Sequence, residues 1–502
     1  MHSLPKSLPH ICVALGFPST AQLARAAERE YKDGNTFLEF RLDYLPEPPA
    51  GIEVIRKLRK SLPGIYILAT CRHKRASGHY KGDMEQQFAI LQSSAEAGAA
   101  LIDLEIESAE SAKPAVAALS DAAPLCLSYH NFETSPALEP VLRRLARFPA
   151  SVYKIITTAR KPSDNLRLLQ FARSHRGTPL VLFAMSEIGL PTRVLTPSLG
   201  GLYTFAAPLE NGGTAPGQIP AKLMRSLYRC EKLTRHTRLY GVVACPVAHS
   251  KSPLIHNRAF QSRRLDSVYL PFLVSPAHLS DWMKFADAQP VFGFSVTIPH
   301  KQRILRYLDF IEPQARRIGA VNTVWRKAGK WRGANTDTEG VLKPLSRHLR
   351  LARSSVLLAG YGGAARAAAI ALSDASARVT ITGRNIQSAQ SLARAVSGEA
   401  VTLKQAAQNH YDVLIHATPL GMFPRTGECL FPDRLPASIV FDMVYNPCET
   451  LLLKRAKQQG CLTIQGIEML LEQAAHQFEI WTGETAPRAV MRSALEASIM
   501  CP

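Results

Sequence analysis

Eight short runs rich in β-branched and aromatic residues recur along the first half of the chain and limit its fold more than any other feature. Their starts lie roughly 22 to 35 residues apart, which leaves room for a helix and two loops between successive runs. Two of these intervals, AQLARAAEREY and NLRLLQFARSH, carry apolar residues at helical spacing. The runs are ICVAL from residue 11, FLEFRL from 37, YILAT from 66, LIDLEI from 101, LCLSYH from 125, VYKII from 152, LVLFAM from 180 and LYTF from 202. They predict an N-terminal (β/α)8 barrel of the α/β class over residues 1–222.

Polar residues stand where these predicted strands end. In a parallel barrel the chemistry lies at the carboxyl ends of the strands, so residues distant in the sequence meet at one rim. Each residue alone has a structural explanation, but their joint position favours one active site. The residues are Glu39, Arg41, Thr70, Arg72, His130 and Arg193, followed by the loop GTAPGQ after the eighth run.

A lysine interrupts the apolar run SVYKII. A lone ammonium is costly to bury, so either the head of Lys154 reaches water or burial keeps the amine neutral for use as a nucleophile. Lys154 shares a strand face with Val152 and Ile156, and if that face points into the barrel we expect its pKa to fall. Nearby arginines would push the pKa the same way. A neutral amine forms a Schiff base with a ketone, and His130 would move protons at the neighbouring carbon.

The motifs LEFRLDY, TCR, DLEIE, SYHNFETSP, VYKI and TAPGQI occur in that order, and over residues 10–222 the chain resembles the type I 3-dehydroquinate dehydratases. The resemblance implies elimination of water from 3-dehydroquinate to give 3-dehydroshikimate. It implies that Lys154 forms the Schiff base and that His130 is the acid and base. The substrate-binding residues that it implies are Glu39, Arg41, Arg72, Arg193, Thr214 and Gln218.

Three positions depart from that family pattern. Ala76 stands where a glutamate that orients the histidine is expected, and Asn131 stands where many members have Asp. Thr214 replaces a serine and keeps the hydroxyl. We therefore expect the orientation of His130 to differ from the family norm, with Glu105 on the fourth strand as the first alternative partner.

The second half contains SVLLAGYGGAARAAAIAL, an apolar strand that leads into glycines and an alanine-rich helix. Gly360, Gly362 and Ala365 satisfy G-x-G-x-x-A, which permits close approach of a dinucleotide pyrophosphate. The next predicted strand, ARVTITGRN, ends without the acid typical of NAD-binding proteins. Arg384 at that end suits a 2′-phosphate, which favours NADP as the cofactor. The alternative is an NAD-binding site in which Arg384 is only a surface residue. The segments YDVLIHATPLG and ASIVFDMVYNP predict further strands of the same Rossmann-type sheet.

The polar clusters HSKSPLIHN, FSVTIPHK and GAVNTVW…GANTDTEG precede this glycine loop, and residues 238–502 resemble shikimate dehydrogenase. The resemblance implies a catalytic pair, Lys301 and Asp337. It implies substrate contacts at Ser250, Ser252, Thr297, Asn322, Tyr445 and Gln473. It implies cofactor contacts at Gly360, Tyr361, Gly362, Gly363, Ala364, Gly383, Arg384, Asn385, Thr418, Met443 and Gly466. Departures are Ser295 and His416, each in place of Asn, and GRN in place of NRT.

These resemblances predict a bifunctional enzyme in which the product of the first site is the substrate of the second. We expect a barrel over 1–222, a connector over 223–238, and a substrate-binding domain over 239–340 that is completed by 470–502. The NADP-binding domain is expected over 341–469. Residues 221–238 have a basic, helical pattern, which predicts a last barrel helix that runs into the connector.

Composition narrows the partners. The 502 residues are 46% hydrophobic and 20% charged, as in ordinary globular proteins, and no apolar run is long enough to span a membrane. The net charge of +20 comes from arginines and lysines without a nucleic-acid-binding motif, which favours small anionic substrates. Nine scattered cysteines without C-x-x-C predict reduced thiols and no metal site. The start lacks a signal or transit pattern, so we expect a cytoplasmic protein.

Three alternatives remain open at this point. The barrel is a class I aldolase fused to a reductase, or it has decayed at Ala76 so that only the dehydrogenase half is active. The third alternative is a basic nucleic-acid-binding protein with vestigial enzyme domains. The sequence does not predict the oligomeric state.

Overall fold

The computed structural model describes residues 3–209 and 213–499, which form two compact units. The first comprises the described residues up to 238 with Leu270–Pro290, and the second comprises Leu239–Tyr269 with the described residues from 291 onward. Cys501 and the outer limits of the first and last predicted domains lie outside the described residues.

The first unit contains an eight-stranded parallel sheet, and every predicted run forms one of its strands. The strands are β1 Ile11–Leu15, β2 Phe37–Arg41, β3 Tyr66–Thr70, β4 Leu101–Glu105, β5 Leu125–His130, β6 Val152–Thr158, β7 Leu180–Met185 and β8 Thr204–Ala206. Strands β1 to β7 pair in sequential order and β8 pairs with β1. Next to the seam between β7 and β8, the Leu202 amide donates to the Leu180 carbonyl at 2.8 Å. The predicted (β/α)8 architecture is confirmed.

Helices follow the strands, as the βα pattern predicts. They are α1 Thr20–Lys32, α2 Ala50–Ser61, α3 Met84–Glu96, α4 Ile106–Ser111, α5 Lys113–Ala122, α6 Leu138–Leu145, α7 Pro162–Ser174, α8 Ser186–Leu195 and α9 Ala221–Ser226. The helical pattern predicted over residues 221–238 is realised only in α9 and in a 3-10 turn at Cys230–Lys232. Arg229, between them, has φ +53°, a left-handed conformation that precedes the 3-10 turn.

In five barrel strands, β2 to β6, one face starts apolar and ends polar. Phe37, Leu68, Leu101, Cys126 and Val152 belong to a buried apolar cluster near the start of their strands. Because side chains alternate along a strand, the same faces continue into charged or polar residues. Those residues are Glu39, Thr70, Asp103, Ser128 and Lys154. The apolar cluster therefore lies beneath a layer of buried polar groups.

The rest of the chain builds two further six-stranded sheets. The first is mixed, in the order β10-β9-β11-β13-β14-β12, and the second is parallel, in the order β17-β16-β15-β18-β19-β20. The strands of the mixed sheet are β9 Arg238–Ala244, β10 Ser267–Leu273, β11 Val291–Val296, β12 Phe310–Ile311, β13 Thr323–Lys327 and β14 Lys330–Ala334. The strands of the parallel sheet are β15 Ser355–Ala359, β16 Arg378–Thr382, β17 Glu399–Ala400, β18 Tyr411–His416, β19 Ala437–Asp442 and β20 Leu462–Ile464.

Read from its first strand, the parallel sheet has the order 3-2-1-4-5-6 of a Rossmann fold, with the strand order reversing between β15 and β18. The helices that accompany both sheets are α10 Ser252–Ser262, α11 Leu279–Ala288, α12 Pro313–Ile318, α13 Asp337–Ser346, α14 Gly363–Asp374, α15 Ile386–Arg394, α16 Leu403–Gln408, α17 Leu451–Gln458, α18 Gly466–Thr482 and α19 Arg488–Ile499. None of the helices in residues 3–209 and 213–499 is long and apolar enough to cross a bilayer.

Candidate active sites

A cavity at the carboxyl ends of the barrel strands brings the residues predicted for the dehydratase together. All eight of them line it, although they come from three strands, helix α8 and two loops. They are Glu39, Arg41, Arg72, His130, Lys154, Arg193, Thr214 and Gln218.

Lys154 on β6 is buried and held between two carboxylates. Its Nζ donates to Asp103 Oδ2 at 3.0 Å, lies 3.5 Å from Glu39 Oε1 and stands 4.1 Å from the centroid of the Phe205 ring. Thr70 fixes Glu39 by donating to Oε1 at 2.8 Å. The lysine head is therefore aimed by groups on β2, β4 and β8 and does not reach water as a surface lysine would.

The expected fall in the pKa of Lys154 is wrong for the free site. Burial does lower this pKa and Arg72 adds to the effect, but the carboxylates of Asp103 and Glu39 raise it by more. The ammonium form is therefore the resting state. The carboxyl of Asp103 loses solvation on burial, yet the charges of Lys154 and Arg72 hold its pKa below the usual range.

Asp103 is the residue that the sequence analysis missed. It is fully buried on β4, accepts from Ser128 Oγ at 2.8 Å, and lies 3.6 Å from Arg72 Nη2. Its signal was present in LIDLEI, where an aspartate follows Leu101 on the face of a strand that points into the barrel. A buried carboxylate at such a position needs a cation, and Lys154 is that cation.

His130 ends β5, and its ring stacks on Phe132 with centroids 6.2 Å apart. Burial, followed by the positive charges of Arg72, Lys154 and Arg41, holds its pKa well below the ordinary value. Nδ1 is buried and accepts no hydrogen bond from any residue in the described ranges. The imidazole is therefore neutral at rest, with one ring nitrogen available to a bound molecule.

Among the described residues, neither position considered for orienting His130 makes a hydrogen bond to its ring. Ala76 lies in a 3-10 turn, and its neighbour Ser77 lines the cavity. Glu105 is buried elsewhere, where its Oε1 accepts from the His73 amide at 2.9 Å and from Gln87 Nε2 at 2.8 Å. Glu105 therefore anchors the loop after β3, and its suggested role beside His130 is wrong.

Arg193 on α8 is buried and lacks a carboxylate partner within the described part of the chain. Its guanidinium donates to the Phe205 and Pro216 carbonyls at 3.4 and 3.1 Å and stacks 4.4 Å from the Phe183 ring centroid. Burial lowers its pKa to about 9, so it stays charged near neutrality, and its Nε has no partner among the described residues. Arg41 differs, because Asp43 already neutralises it through two hydrogen bonds of 2.9 and 2.8 Å. Arg193 is thus the cation that a substrate carboxylate would satisfy.

A second cavity contains the pair predicted for hydride chemistry. Lys301 Nζ donates to Asp337 Oδ2 at 2.5 Å, and Asn322 Nδ2 donates to Asp337 Oδ1 at 2.8 Å. Asp337 is the first residue of α13, where the helix dipole favours a carboxylate. Asn322 is itself held, since its Oδ1 accepts from the Thr336 amide at 2.8 Å. Both oxygens of the carboxylate are thus oriented.

The other substrate-side residues predicted from the resemblance line the same cavity. They are Ser250, Ser252, Thr297, Tyr445 and Gln473, together with Ala364, Met443 and Gly466 from the predicted cofactor set. Burial raises the pKa of the Tyr445 phenol, which keeps it a neutral donor.

Gln477 and Ser295 form a buried support under this cavity that the sequence analysis did not predict. Ser295 Oγ donates to Gln477 Oε1 at 2.8 Å, and Gln477 Nε2 donates to the Asn322 carbonyl at 3.2 Å. The signal was the spacing of Gln477 four residues after Gln473 on α18, which puts both amides on one helix face. Ser295 thus takes part in a hydrogen-bond network where the family usually has Asn.

The crevice at the strand-order reversal has the form of a dinucleotide site. Gly360 follows β15 with φ +126°, and a Cβ there would lie 2.8 Å from the Ala417 carbonyl oxygen. Helix α14 begins at Gly363, with Gly362 as its N-cap, so unpaired amides face the crevice. The predicted residues that line it are Gly360, Tyr361, Gly362, Gly383, Arg384 and Thr418. A pyrophosphate on the helix terminus fits these residues.

Arg384 is exposed at the rim after β16, whereas Asn385 uses its side chain to cap α15 by accepting from the Ser388 amide at 2.9 Å. Arg425, which the sequence analysis missed, also lines the crevice. Among residues 3–209 and 213–499, no cluster of three or more His, Cys, Asp or Glu side chains is arranged to hold a metal ion.

Family models match both halves of the chain. Residues 11–235 match the model described as Type I 3-dehydroquinase. Residues 242–324 match Shikimate dehydrogenase substrate binding domain, 344–421 match Shikimate / quinate 5-dehydrogenase, and 466–496 match Shikimate 5'-dehydrogenase C-terminal domain.

Curated relatives and solved structures agree with these matches. The chloroplastic bifunctional 3-dehydroquinate dehydratase/shikimate dehydrogenase of Arabidopsis thaliana is 33% identical over 97% of this chain and 84% of its own length. The shikimate dehydrogenase (NADP(+)) of Bacillus subtilis is 40% identical over 51% of this chain and 95% of its own. A shikimate dehydrogenase crystallised with NADP+ aligns with TM-score 0.51 at 36% identity, covering 53% of this chain and 98% of that one. The Listeria monocytogenes enzyme, crystallised with shikimate and NAD, aligns with TM-score 0.50 at 33% identity over 53% and 98%.

Proposed function

Because the chain belongs to the bifunctional 3-dehydroquinate dehydratase/shikimate dehydrogenase family, we propose that Lys154 and Lys301 are the reactive lysines of its two consecutive reactions. The barrel is a type I dehydroquinase, which makes it a lyase, and the second unit is a shikimate dehydrogenase, which makes it an oxidoreductase. The product of the barrel is the substrate of the dehydrogenase. Both belong to the shikimate pathway, which leads to the aromatic amino acids.

The observation that carries the barrel proposal is the buried Lys154 between Asp103 and Glu39, in one cavity with Arg193, whose guanidinium has no carboxylate partner among the described residues. Arg193 binds the substrate carboxylate and thereby presents the ketone to Nζ. The ammonium first loses a proton, for which the two carboxylates are the nearest acceptors. The amine then adds to the ketone carbon, and one water leaves as the imine forms.

His130 performs the proton transfers of the elimination. Its neutral ring takes a proton from the carbon beside the imine and returns it to the departing hydroxyl, which leaves as water. Hydrolysis of the imine consumes the water released earlier and frees Lys154, so the net change is loss of one water. The low pKa of His130 makes it a weak base, which suits a carbon acidified by the iminium.

In the second unit, NADPH supplies a hydride to the ketone when it is bound in the crevice beside α14. The developing alkoxide needs a proton, and Lys301, hydrogen-bonded to Asp337, is placed to supply it. Ser250, Ser252 and Tyr445 offer hydroxyls to the polyhydroxy acid. The preference of this chain for NADP is inferred from Arg384 in the crevice and from the NADP(+) named for its relatives. The small anionic substrates fit the cationic side chains that line the cavities.

The test is a coupled assay with separable halves. The purified chain, supplied with 3-dehydroquinate and NADPH, is expected to oxidise NADPH and release shikimate. Lys154→Ala abolishes dehydration but leaves reduction of added 3-dehydroshikimate near normal, whereas Lys301→Ala does the reverse. Borohydride with substrate fixes a ligand covalently on Lys154, and a label found elsewhere in a protein with active dehydratase contradicts the assignment.

The alternatives predict different outcomes of the same assay. An aldolase-like barrel releases no 3-dehydroshikimate, and a decayed barrel reduces 3-dehydroshikimate without forming it. A nucleic-acid-binding protein binds duplex with a steep salt dependence. The complete dehydratase set in one cavity supports an active barrel. A cytoplasmic location stays a prediction, since the Arabidopsis relative is chloroplastic.

A further inference from the structure

His416, at the end of β18, makes a hydrogen bond through each of its two ring nitrogens. Nδ1 lies 2.9 Å from Asp442 Oδ1 and Nε2 lies 2.5 Å from Thr418 Oγ1. His416 is 2% exposed, and Asp442, at the end of β19, is fully buried. The family resemblance predicts Asn at position 416, so this arrangement is a departure that the two reactions leave unexplained.

The carboxylate of Asp442 determines the direction of the hydrogen bonds in this chain of groups, because it can only accept. Nδ1 of His416 therefore carries the ring proton and donates it to Asp442. In the neutral ring Nε2 is then an acceptor, so Thr418 donates its hydroxyl hydrogen to Nε2, while its Oγ1 accepts from the Leu420 amide at 3.3 Å. Asp442 also accepts from the Val444 amide at 3.0 Å and from Thr450 Oγ1 at 2.5 Å. A fully paired relay thus runs from the loop after β18 to the loop after β19 and the N-cap of α17.

The relay joins the two loops that border the hydride-transfer region. Thr418 and Leu420 line the dinucleotide crevice, and Met443, next to Asp442, lines the substrate cavity. The loop after β18 is held close to the glycine loop, because the Ala417 amide donates to the Ala359 carbonyl at 2.9 Å and the Ala417 carbonyl leaves no room for a Cβ at Gly360. His416 is thus hydrogen-bonded directly to Thr418 of the dinucleotide crevice and to Asp442, the neighbour of Met443 in the substrate cavity.

We propose that His416 is a positioning residue of the dehydrogenase, which sets the loops after β18 and β19 for the nicotinamide cofactor through Thr418 and Asp442. The inference rests on the proposed function of this crevice. An Asn at 416 keeps the polarity of both bonds, since its amide can donate to Asp442 and accept from Thr418. Phe keeps the bulk and removes both bonds, which leaves the buried carboxylate of Asp442 short of one donor.

The experiment compares His416→Phe, His416→Asn and the control His410→Phe in the full chain. His410 is exposed and immediately precedes β18. NADPH fluorescence titration measures the dissociation constant, hydrogen exchange of residues 417–422 measures the order of the loop, and dehydratase activity verifies that the chain is intact. We expect His416→Phe to weaken NADPH binding about tenfold, raise the KM for NADPH more than it changes kcat, and speed exchange. We expect His416→Asn to recover most of the loss.

An unchanged dissociation constant and exchange rate in His416→Phe overturn the proposal. If His416→Phe does not fold, Asp442→Asn tests the same relay at a residue that does not line either cavity. The amide nitrogen of Asn cannot accept a hydrogen bond, so it breaks at least one of the bonds that the carboxylate now accepts. Unchanged binding and exchange in Asp442→Asn likewise overturn it. Failure of the wild-type chain to bind NADPH instead refutes the proposed cofactor, so the two failures are distinguishable.

Discussion

Replacing Asp103 by Asn removes the negative charge nearest to Lys154 while keeping the size of the side chain. The carboxylate oxygen stands 3.0 Å from Nζ, and at an effective dielectric constant of about 20 the lost attraction is roughly 5 kcal/mol. That corresponds to roughly 4 pKa units as an upper limit. Local relaxation and water reduce it, so we expect the pKa of Lys154 to fall by about 2 units.

Two charged neighbours, Arg72 and Glu39, continue to act on the pKa of Lys154 in this variant. Arg72, 3.6 Å from Asp103, loses its counter-ion and repels the ammonium more effectively. Glu39, 3.5 Å from Nζ, still stabilises the ammonium, so the amine is not fully neutral near pH 7. The variant therefore forms the imine at lower pH than the natural protein, although its overall turnover falls if Asp103 also accepts the lysine proton.

The assay is competitive acetylation of the lysines between pH 6 and 11, with mass spectrometry of the peptide that contains Lys154. The exposed Lys327 serves as internal reference. Ser128→Ala is the matched control, because it removes a hydrogen bond to the same carboxylate without changing its charge. An unchanged acetylation midpoint of Lys154 in Asp103→Asn, or one shifted upward, refutes the claim that Asp103 keeps this lysine protonated.

Three further outcomes are expected. Arg384→Ala raises the KM for NADPH roughly 10- to 150-fold more than that for NADH, as the loss of one charge-assisted phosphate contact would, and equal effects on both cofactors contradict the assignment. Ala76→Glu places a carboxylate beside the cavity, so we expect the pKa of His130 to rise, dehydration to speed up and the lower limb of the pH profile of dehydration to move. Arg75→Glu is the control for an alignment that is off by one residue. No change in either variant shows that another group orients the ring. Burial lowers the pKa of His256 to about 3, below its unfolded value near 6.5, so the dehydrogenase unit loses up to about 1.4 kcal/mol per pH unit as pH falls below 6.5. Urea unfolding monitored by tryptophan fluorescence at pH 7 and 5 should show this loss in the natural chain and not in His256→Phe.

The elements were predictable because their signals are local. An alternating or continuous apolar run identifies a strand wherever it occurs, and the spacing of eight such runs identifies the barrel. The connector shows the limit, since nothing in the composition of residues 221–238 reveals where the last barrel helix ends or the left-handed backbone of Arg229.

The chemistry of the sites was predictable only in part. The strand-end rule grouped His130 and Lys154, and the resemblance supplied Lys301 and Asp337. The sign of the pKa shift of Lys154 was not predictable, because it depends on Asp103, a residue 51 positions away that faces the lysine across the barrel interior. The relay at His416 likewise depends on Asp442, which two parallel strands bring alongside.

Arg193 carries a buried positive charge that no carboxylate in the described residues offsets. Burial of this charge carries an electrostatic cost that any small oxyanion of suitable size relieves on binding. By mass action, such an anion raises the melting temperature of the first unit and competes with substrate in proportion to its concentration. Phosphate and sulfate buffers would thus make the dehydratase look more stable and less active than it is in chloride, and its apparent substrate affinity becomes a property of the buffer as much as of the protein.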